Sequence, residues 1–376
     1  MFAIEMRKCL ILLIWSMVCL SALASEPPGD TLSKVALKPR FLYNVDAAVW
    51  LDNREYWGPW QRDQTLFGLR LSPEIGVGFT DKECGEHRLM AGFHYIQPMG
   101  GNWQDVRFVP TVYYQYKFKG LTMNLGEIPY KNFIRQLPDF LRYDSIAYAR
   151  PNIQGALVQY QSRHGFVEAM LDWRGKKKID QREMFRVTID GEYSYQGFFR
   201  YFVGGVAQVN HKANHARPTH REGVCDDNCV APNIGIDFSA PTPLDVLMIR
   251  ASYIFGYQRQ RKLDVLYMPQ GVMFEFMINW RWLGLKNTFY YGDNLMPFYC
   301  LYGADLYQGD PFYQSTIYNR TDFYVYLLHK SFINFYFSWN MHWVPQGGLQ
   351  HQQQLIAVFS LDGIGKEGKL KGFFDK

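Results

Sequence analysis

From residue 331 to 343 the chain reads SFINFYFSWNMHW, with apolar and polar residues on alternate positions. Ile333, Phe335, Phe337, Trp339, Met341 and Trp343 share one parity; Asn334, Tyr336, Ser338, Asn340 and His342 share the other. A period of two is that of a strand, whose successive side chains point to opposite faces. The split recurs in QTLFGLRLSPEIGVGF, where Phe67, Leu69, Leu71, Ile75, Val77 and Phe79 oppose Arg70, Ser72, Glu74, Gly76 and Gly78. In GVMFEFMINWRW, Val272, Phe274, Phe276, Ile278, Trp280 and Trp282 oppose Glu275, Asn279 and Arg281. Further segments of this character begin near Phe41, His87, Asp105, Leu121, Ile153, Phe166, Met184, Tyr195, Asn233, Val246, Leu285, Asn319 and His351.

Alternation suits a soluble sandwich as well as a membrane barrel, and the connections decide between them. Short links (TDKECGE, KG, SRHG, a single serine, APTPLD, LG, KS) alternate with longer ones, among them NREYWGPWQRD, PYKNFIRQLPDFLRYDSIAYARPN, NHKANHARPTHREGVCDDNCVAP and VPQGGLQ. An up-and-down barrel with turns at one rim and loops at the other produces that order, whereas a Greek-key sandwich has no reason to. Several segments exceed the roughly 9 to 11 residues that a tilted membrane strand needs. After residue 25 no stretch approaches the roughly 18 to 20 uninterrupted apolar residues of a membrane helix. The expected fold is therefore all-β: a transmembrane up-and-down antiparallel β-barrel of about 16 strands, greasy outside and wet inside. Aromatic residues make up 17% of the chain, and Tyr116, Phe118, Tyr193, Tyr195, Trp280 and Trp282 lie beside short turns, as an interfacial girdle requires.

The first residues predict export. Arg7 and Lys8 precede the apolar run CLILLIWSMVCLSAL, and ALA at 22 to 24 offers a small-residue cleavage site. Met6 is an alternative start, and Cys19 lacks the small residue that should precede a lipidated cysteine. The domain reading is a signal peptide over 1–24, a periplasmic extension over 25–39, the barrel over 40–362 and a periplasmic tail over 363–376. An even strand number leaves both termini on the short-turn side and the loops extracellular, in the outer membrane of a Gram-negative bacterium. The net charge of +5 is mild, and RGKKK at 174 to 178 reads as a solvated loop, so no nucleic-acid partner is expected.

The lumen parity collects Arg70, Arg88, Arg107, Arg186, Arg200, Arg250, Arg281 and Arg320 with Glu74, Glu168, Asp172, Asp190, Glu192, Glu275 and Asp322, joined by Asn334, Ser338 and His342. Such a ring of both signs either polarises a pore constriction or stiffens the wall by ion pairing. In the loop HKANHARPTHREGVCDDNC, His211, His215, His220, Cys225 and Cys229 match no standard zinc spacing. A Cys225–Cys229 disulfide closing that loop is the expectation, with no metal. Cys84 and Cys300 fall at opposite rims and are not expected to pair. Around 295 to 318, Phe298, Tyr299, Tyr302, Tyr307, Phe312 and Tyr313 accompany Asp305 and Asp310, in a loop that packs outside, stacks on sugars or folds inward. Ser338 and His342 share a face but lie about 13 Å apart along a strand, too far to act together.

At YNVDAAVWLDNREY, RLSPEIGVGF and GLKNTFYYGDNLMPFY...GDPFYQSTIYNRTDFY the chain resembles a porin-like family of outer-membrane β-barrel proteins common in Bacteroides and its relatives. The resemblance covers most of the mature chain and implies a barrel and a compartment, but no substrate. One departure is the end of the chain: Phe359 is followed by a tail ending GFFDK, where many such barrels finish on a closing aromatic residue. The functional expectation is a cofactor-free channel for small hydrophilic solutes, surrounded by outer-membrane lipid, with a homo-trimer as the candidate assembly and no enzymatic activity. The alternative is a barrel plugged by the loop at 129 to 152 that serves as a scaffold for partners.

Overall fold

A computed structural model describes residues 38–217, 223–366 and 369–371. The expected signal peptide, nearly all of the N-terminal extension and His220 lie outside the described residues. The wall begins with β1 (Arg40–Glu55), β2 (Gln64–Asp81), β3 (Gly85–Pro98), β4 (Arg107–Phe118) and β5 (Leu121–Pro129). It continues through β6 (Asn152–Ser162), β7 (Gly165–Gly175), β8 (Met184–Gln196), β9 (Arg200–Lys212), β10 (Cys225–Asp237) and β11 (Val246–Gln260). The short β12 (Val265–Tyr267) precedes β13 (Gln270–Trp280), β14 (Leu283–Gly292), β15 (Ile317–His329), β16 (Ile333–Val344) and β17 (Gly348–Ser360).

Every neighbouring pair in the wall is antiparallel, and β1 closes on β17 from Asp46 opposite Ser360 to Glu55 opposite His351. β12 only folds back on the end of β11, which itself pairs with β13, so sixteen strands form the closed barrel. Closure removes the unpaired edges that a membrane would not tolerate.

Polarity is inverted as the alternation predicts. On β16, Trp339 and Trp343 are 42% and 40% exposed on the outer face, while Asn334, Asn340 and His342 are buried on the inner one. Three boundaries differ from the sequence reading. The turn between β8 and β9 lies at Gly197–Phe199 rather than at Ser194, because the alternating ladder runs on to Gln196 opposite Arg200. β9 and β10 extend much further into the presumed long loop, pairing Lys212 with Cys225. At β16–β17 the loop-end link is as tight as a turn, with Val344 opposite Gly348.

The lumen is not an open tube. The segments at 130–151 and 293–316 fold into it, and their Tyr130, Phe133, Leu137, Phe140, Leu141, Leu295, Met296, Phe298, Phe312 and Tyr313 form one apolar cluster with lumen-facing Val206, Ile254, Met273 and Tyr290. The two segments are stitched together by Tyr143 N–H to Gln308 O at 3.0 Å and Asp310 N–H to Asp139 O at 2.8 Å. Gly309 packs so closely on the Phe140 carbonyl that a Cβ there would lie 1.9 Å from the oxygen. At the opposite end the tail returns to the wall, where Leu370 N–H donates to Lys330 O at 2.9 Å and Asn334 Nδ2 to Leu370 O at 3.2 Å.

Candidate functional site

Most of the charged residues expected to line a pore do face inward, and they hold the inserted segments. The Glu168 carboxylate accepts from the Ile134 and Arg135 N–H groups at 2.9 and 3.2 Å. The Arg135 guanidinium pairs with Asp190 and, at 2.8 Å, with Glu192, which also pairs with Arg200 and lies 3.6 Å from Arg250. Arg250 bridges to Glu275 at 3.1 Å, Arg186 to Asp172 at 3.4 Å, and Arg320 to Asp322 at 2.7 Å. His342 meets Tyr318 Oη at 2.7 Å and Gln352 Oε1 at 3.2 Å, whereas Ser338 bonds to Asn340. Ser338 and His342 thus have separate partners. Arg88 pairs with Glu86 at 2.8 Å, and Arg107 is exposed at the loop-end start of β4. Arg281 leaves the set altogether: it occupies the turn after β13 with φ 54° and stacks on Trp280 at 5.1 Å.

The expected disulfide is also corrected. Cys225 and Cys229 are both free; they belong to β10 rather than to a loop, and four residues of strand separate them by about 13 Å. His211, also in a strand, meets Asp226 Oδ1 at 2.8 Å, and Arg261 caps the same carboxylate at 2.8 Å. Among the described residues no group of histidines, cysteines and carboxylates is arranged to hold a metal.

A different constellation stands between β2, β3 and β6. The register places Leu71 opposite Tyr95 and Glu74 opposite Gly92, so Ser72 and His94 are cross-strand neighbours on the lumen face. Ser72 Oγ lies 2.6 Å from His94 Nδ1, and His94 Nε2 lies 2.8 Å from Asn152 Oδ1. β5 is short, so Asn152, the first residue of β6, reaches past its end to β4, where its Nδ2 donates to Pro110 O at 2.9 Å and Thr111 Oγ1 at 3.1 Å. Those donations orient the amide and leave its oxygen to accept from His94. Nε2 must then carry the proton, Nδ1 is the bare nitrogen, and Ser72 Oγ–H donates to it. A hydroxyl, a base and a residue orienting the base stand in line, which is the arrangement that activates a serine.

Ser72 and His94 line a cavity of about 370 Å³ that extends to the turn end, past Ser331, Ser360 and the tail lysines Lys366, Lys369 and Lys371. Arg70, two residues before Ser72 on the same face, lines it and donates to Ala147 O at 3.3 Å. Arg142, 7% exposed, lines it too, lying 3.7 Å above the Tyr130 ring. Lys131 joins Asp46 at 2.6 Å and also pairs with Glu74. Burial opposes the charge on Lys131, but these carboxylates outweigh it and hold its pKa above the usual lysine value. Toward the loop end, cavities shrink to about 30 and 20 Å³.

The sequence reading placed Ser72 on the lumen face but did not single it out, and it passed over His94 and Asn152. The available signal was a histidine on the same parity as Arg88 in β3. Its partner could be found only through the strand register, and Asn152 only through the shortness of β5.

A family model described as Lipid A 3'-O-deacylase-type matches residues 34–356. No curated protein sequence matches the chain. Among solved structures, a loop-deletion mutant of OmpT, an outer membrane protein of Vibrio cholerae, aligns at 9% identity and TM-score 0.49 over 86% of this chain and 99% of that one. OccK11 (OpdR) of Pseudomonas aeruginosa aligns at 9% identity and TM-score 0.48 over 85% and 96% of the two chains. A BenF-like porin from Pseudomonas fluorescens aligns at 8% and 0.47 over 85% and 98%. The family match overturns the expectation of a protein without enzymatic activity, since the matched family is one of enzymes. Ser338 and His342 lie too far apart within one strand, whereas the hydroxyl and imidazole that do meet, Ser72 and His94, come from adjacent strands.

Proposed function

The chain belongs to the Lipid A 3'-O-deacylase-type family, and on that premise we propose that it is an outer-membrane hydrolase of acyl esters with Ser72 as nucleophile. The observation that carries the reading is the Ser72–His94–Asn152 relay at 2.6 and 2.8 Å, with the histidine tautomer set by Asn152. His94 Nδ1 takes the Ser72 proton as Oγ attacks the ester carbonyl carbon. The carbon–oxygen bond to the alcohol then breaks, and the imidazolium returns its proton to the leaving oxygen. Water attacks the acyl-serine, gives a proton to Nδ1, and the carboxylic acid departs as Ser72 recovers its hydrogen. Arg70 supplies positive charge beside the oxyanion of each tetrahedral step.

Lipid A, named in the family's description, is the ester to test first. A diffusion channel has less support, because solutes would have to cross two inserted segments joined to each other and to the wall. Purified protein in detergent should release a fatty acid from lipid A or from a short-chain nitrophenyl ester, as followed by mass spectrometry and absorbance. Ser72→Ala and His94→Gln should each lower the rate by roughly a thousand-fold or more. Wild-type rates in Ser72→Ala would remove Ser72 from the mechanism.

A further inference from the structure

We infer that Arg70 and Arg142 form an anion-binding subsite beside Ser72, and that the cavity takes a ligand bearing a carboxylate or a phosphate. The subsite deepens the hydrolase reading, which supplies the role of Ser72, but it stands on its own charge balance. Two guanidiniums line one cavity of about 370 Å³. The carboxylate in the same lining, Asp46, is already engaged by Lys131 at 2.6 Å and by Asn44 at 2.9 Å. Lys131 is in turn shared with Glu74, so the nearby acids are committed to the lysine.

Arg142 is the more telling residue. Its Nη2 donates to Arg150 O at 3.3 Å, its plane covers Tyr130, and its buried Nε has no hydrogen-bond partner. A guanidinium offers five donors in a planar fork suited to two oxygens of a carboxylate or phosphate. Burying such a group with a donor unpaired is costly, and an anion entering the cavity would remove that cost. The route is favourable as well, because Lys366, Lys369 and Lys371 stand at the turn-end margin of the cavity and raise the local concentration of anions. The ester hydrolysed at Ser72 is then one whose acid group lies beside the scissile bond, held by Arg70 and Arg142.

The test uses the full chain folded in detergent micelles, with inorganic phosphate and butyrate as probes and chloride holding ionic strength constant. Calorimetric titration of wild type should show one saturable site for one of the two anions. A preference for phosphate points to a phosphorylated ligand, and a preference for butyrate to a carboxylate. Arg142→Gln and Arg70→Gln should each weaken binding roughly ten-fold or more, with Arg142→Lys retaining part of it. Ser72→Ala should still bind the anion while losing hydrolysis. No saturable binding to wild type, or wild-type affinity in either glutamine variant, overturns the subsite, and does so even if Ser72 is needed for hydrolysis. Anion binding with hydrolysis unaffected by Ser72→Ala upholds the subsite and sinks the nucleophile.

Discussion

Asp310 shows how an inserted segment constrains single residues. Its carboxylate accepts from Gln61 Nε2 at 2.6 Å, the Phe312 N–H at 3.1 Å and Tyr318 Oη at 3.3 Å. Burial nevertheless pushes its pKa up from 3.8 to about 6, with Arg320 working in the opposite direction. The folded pKa lies above the unfolded one, so the stability linked to this group is fully present below pH 3.8 and is lost as pH rises through about 6. Asp310→Asn keeps an acceptor oxygen and removes the titration. The midpoint of heat-modifiable gel migration, measured from pH 4 to 7, should therefore fall more steeply for wild type than for Asp310→Asn. Parallel curves would mean that Asp310 does not titrate in this range. At this scale the sequence was legible where parity governs: Glu168, Asp190, Glu275 and Arg320 face inward as alternation requires. Arg281 departs from the lumen face because parity ends with β13 at Trp280, and the next residue lies in a turn with positive φ.

At the scale of elements, the strands were readable and the inserted segments were not. A strand declares itself through a local period of two, whereas 130–151 and 293–316 have no period and reveal their position only through what they touch. The aromatic residues at 295–318 stand out in the sequence, and the loop at 129–152 is long enough to be a plug. The choice between packing outside and packing inside, however, depends on the space that sixteen strands enclose. Cys225 and Cys229 illustrate the same difficulty, since polar residues at 225–228 looked like loop while pairing with β9 and β11 kept them in the wall. The join between the segments offers a direct probe. Gly309→Val places a side chain where even a Cβ would lie 1.9 Å from the Phe140 carbonyl oxygen. The wall should close as before, but the join should part at a cost of about 1–3 kcal/mol. Limited proteolysis of folded protein should then cut within 130–151 or 293–316 faster than in wild type. Unchanged protection would show that the two segments do not depend on this contact.

As a whole, the molecule is a barrel filled at its loop end and hollow toward its turn end, where Ser72 and His94 of the relay share one cavity with half-buried Arg70 and buried Arg142. The same β framework that would surround a channel here positions three residues from three strands, and the inserted segment 130–151 supplies Arg142 and, with Tyr130, Lys131, Phe133 and Gln136, further lining of the cavity. The architecture was legible because alternation and link lengths are global properties of the sequence; the site was not, because it depends on the pairing of Leu71 with Tyr95 and on where β5 stops. The most direct measurement is intact-protein mass after treating the folded barrel with a fluorophosphonate, which bonds covalently to an activated serine oxygen. The account predicts a single adduct that peptide mapping places on Ser72, absent from Ser72→Ala and strongly slowed in His94→Gln. A wild-type protein that stays unmodified, or an adduct that persists in Ser72→Ala, would contradict it.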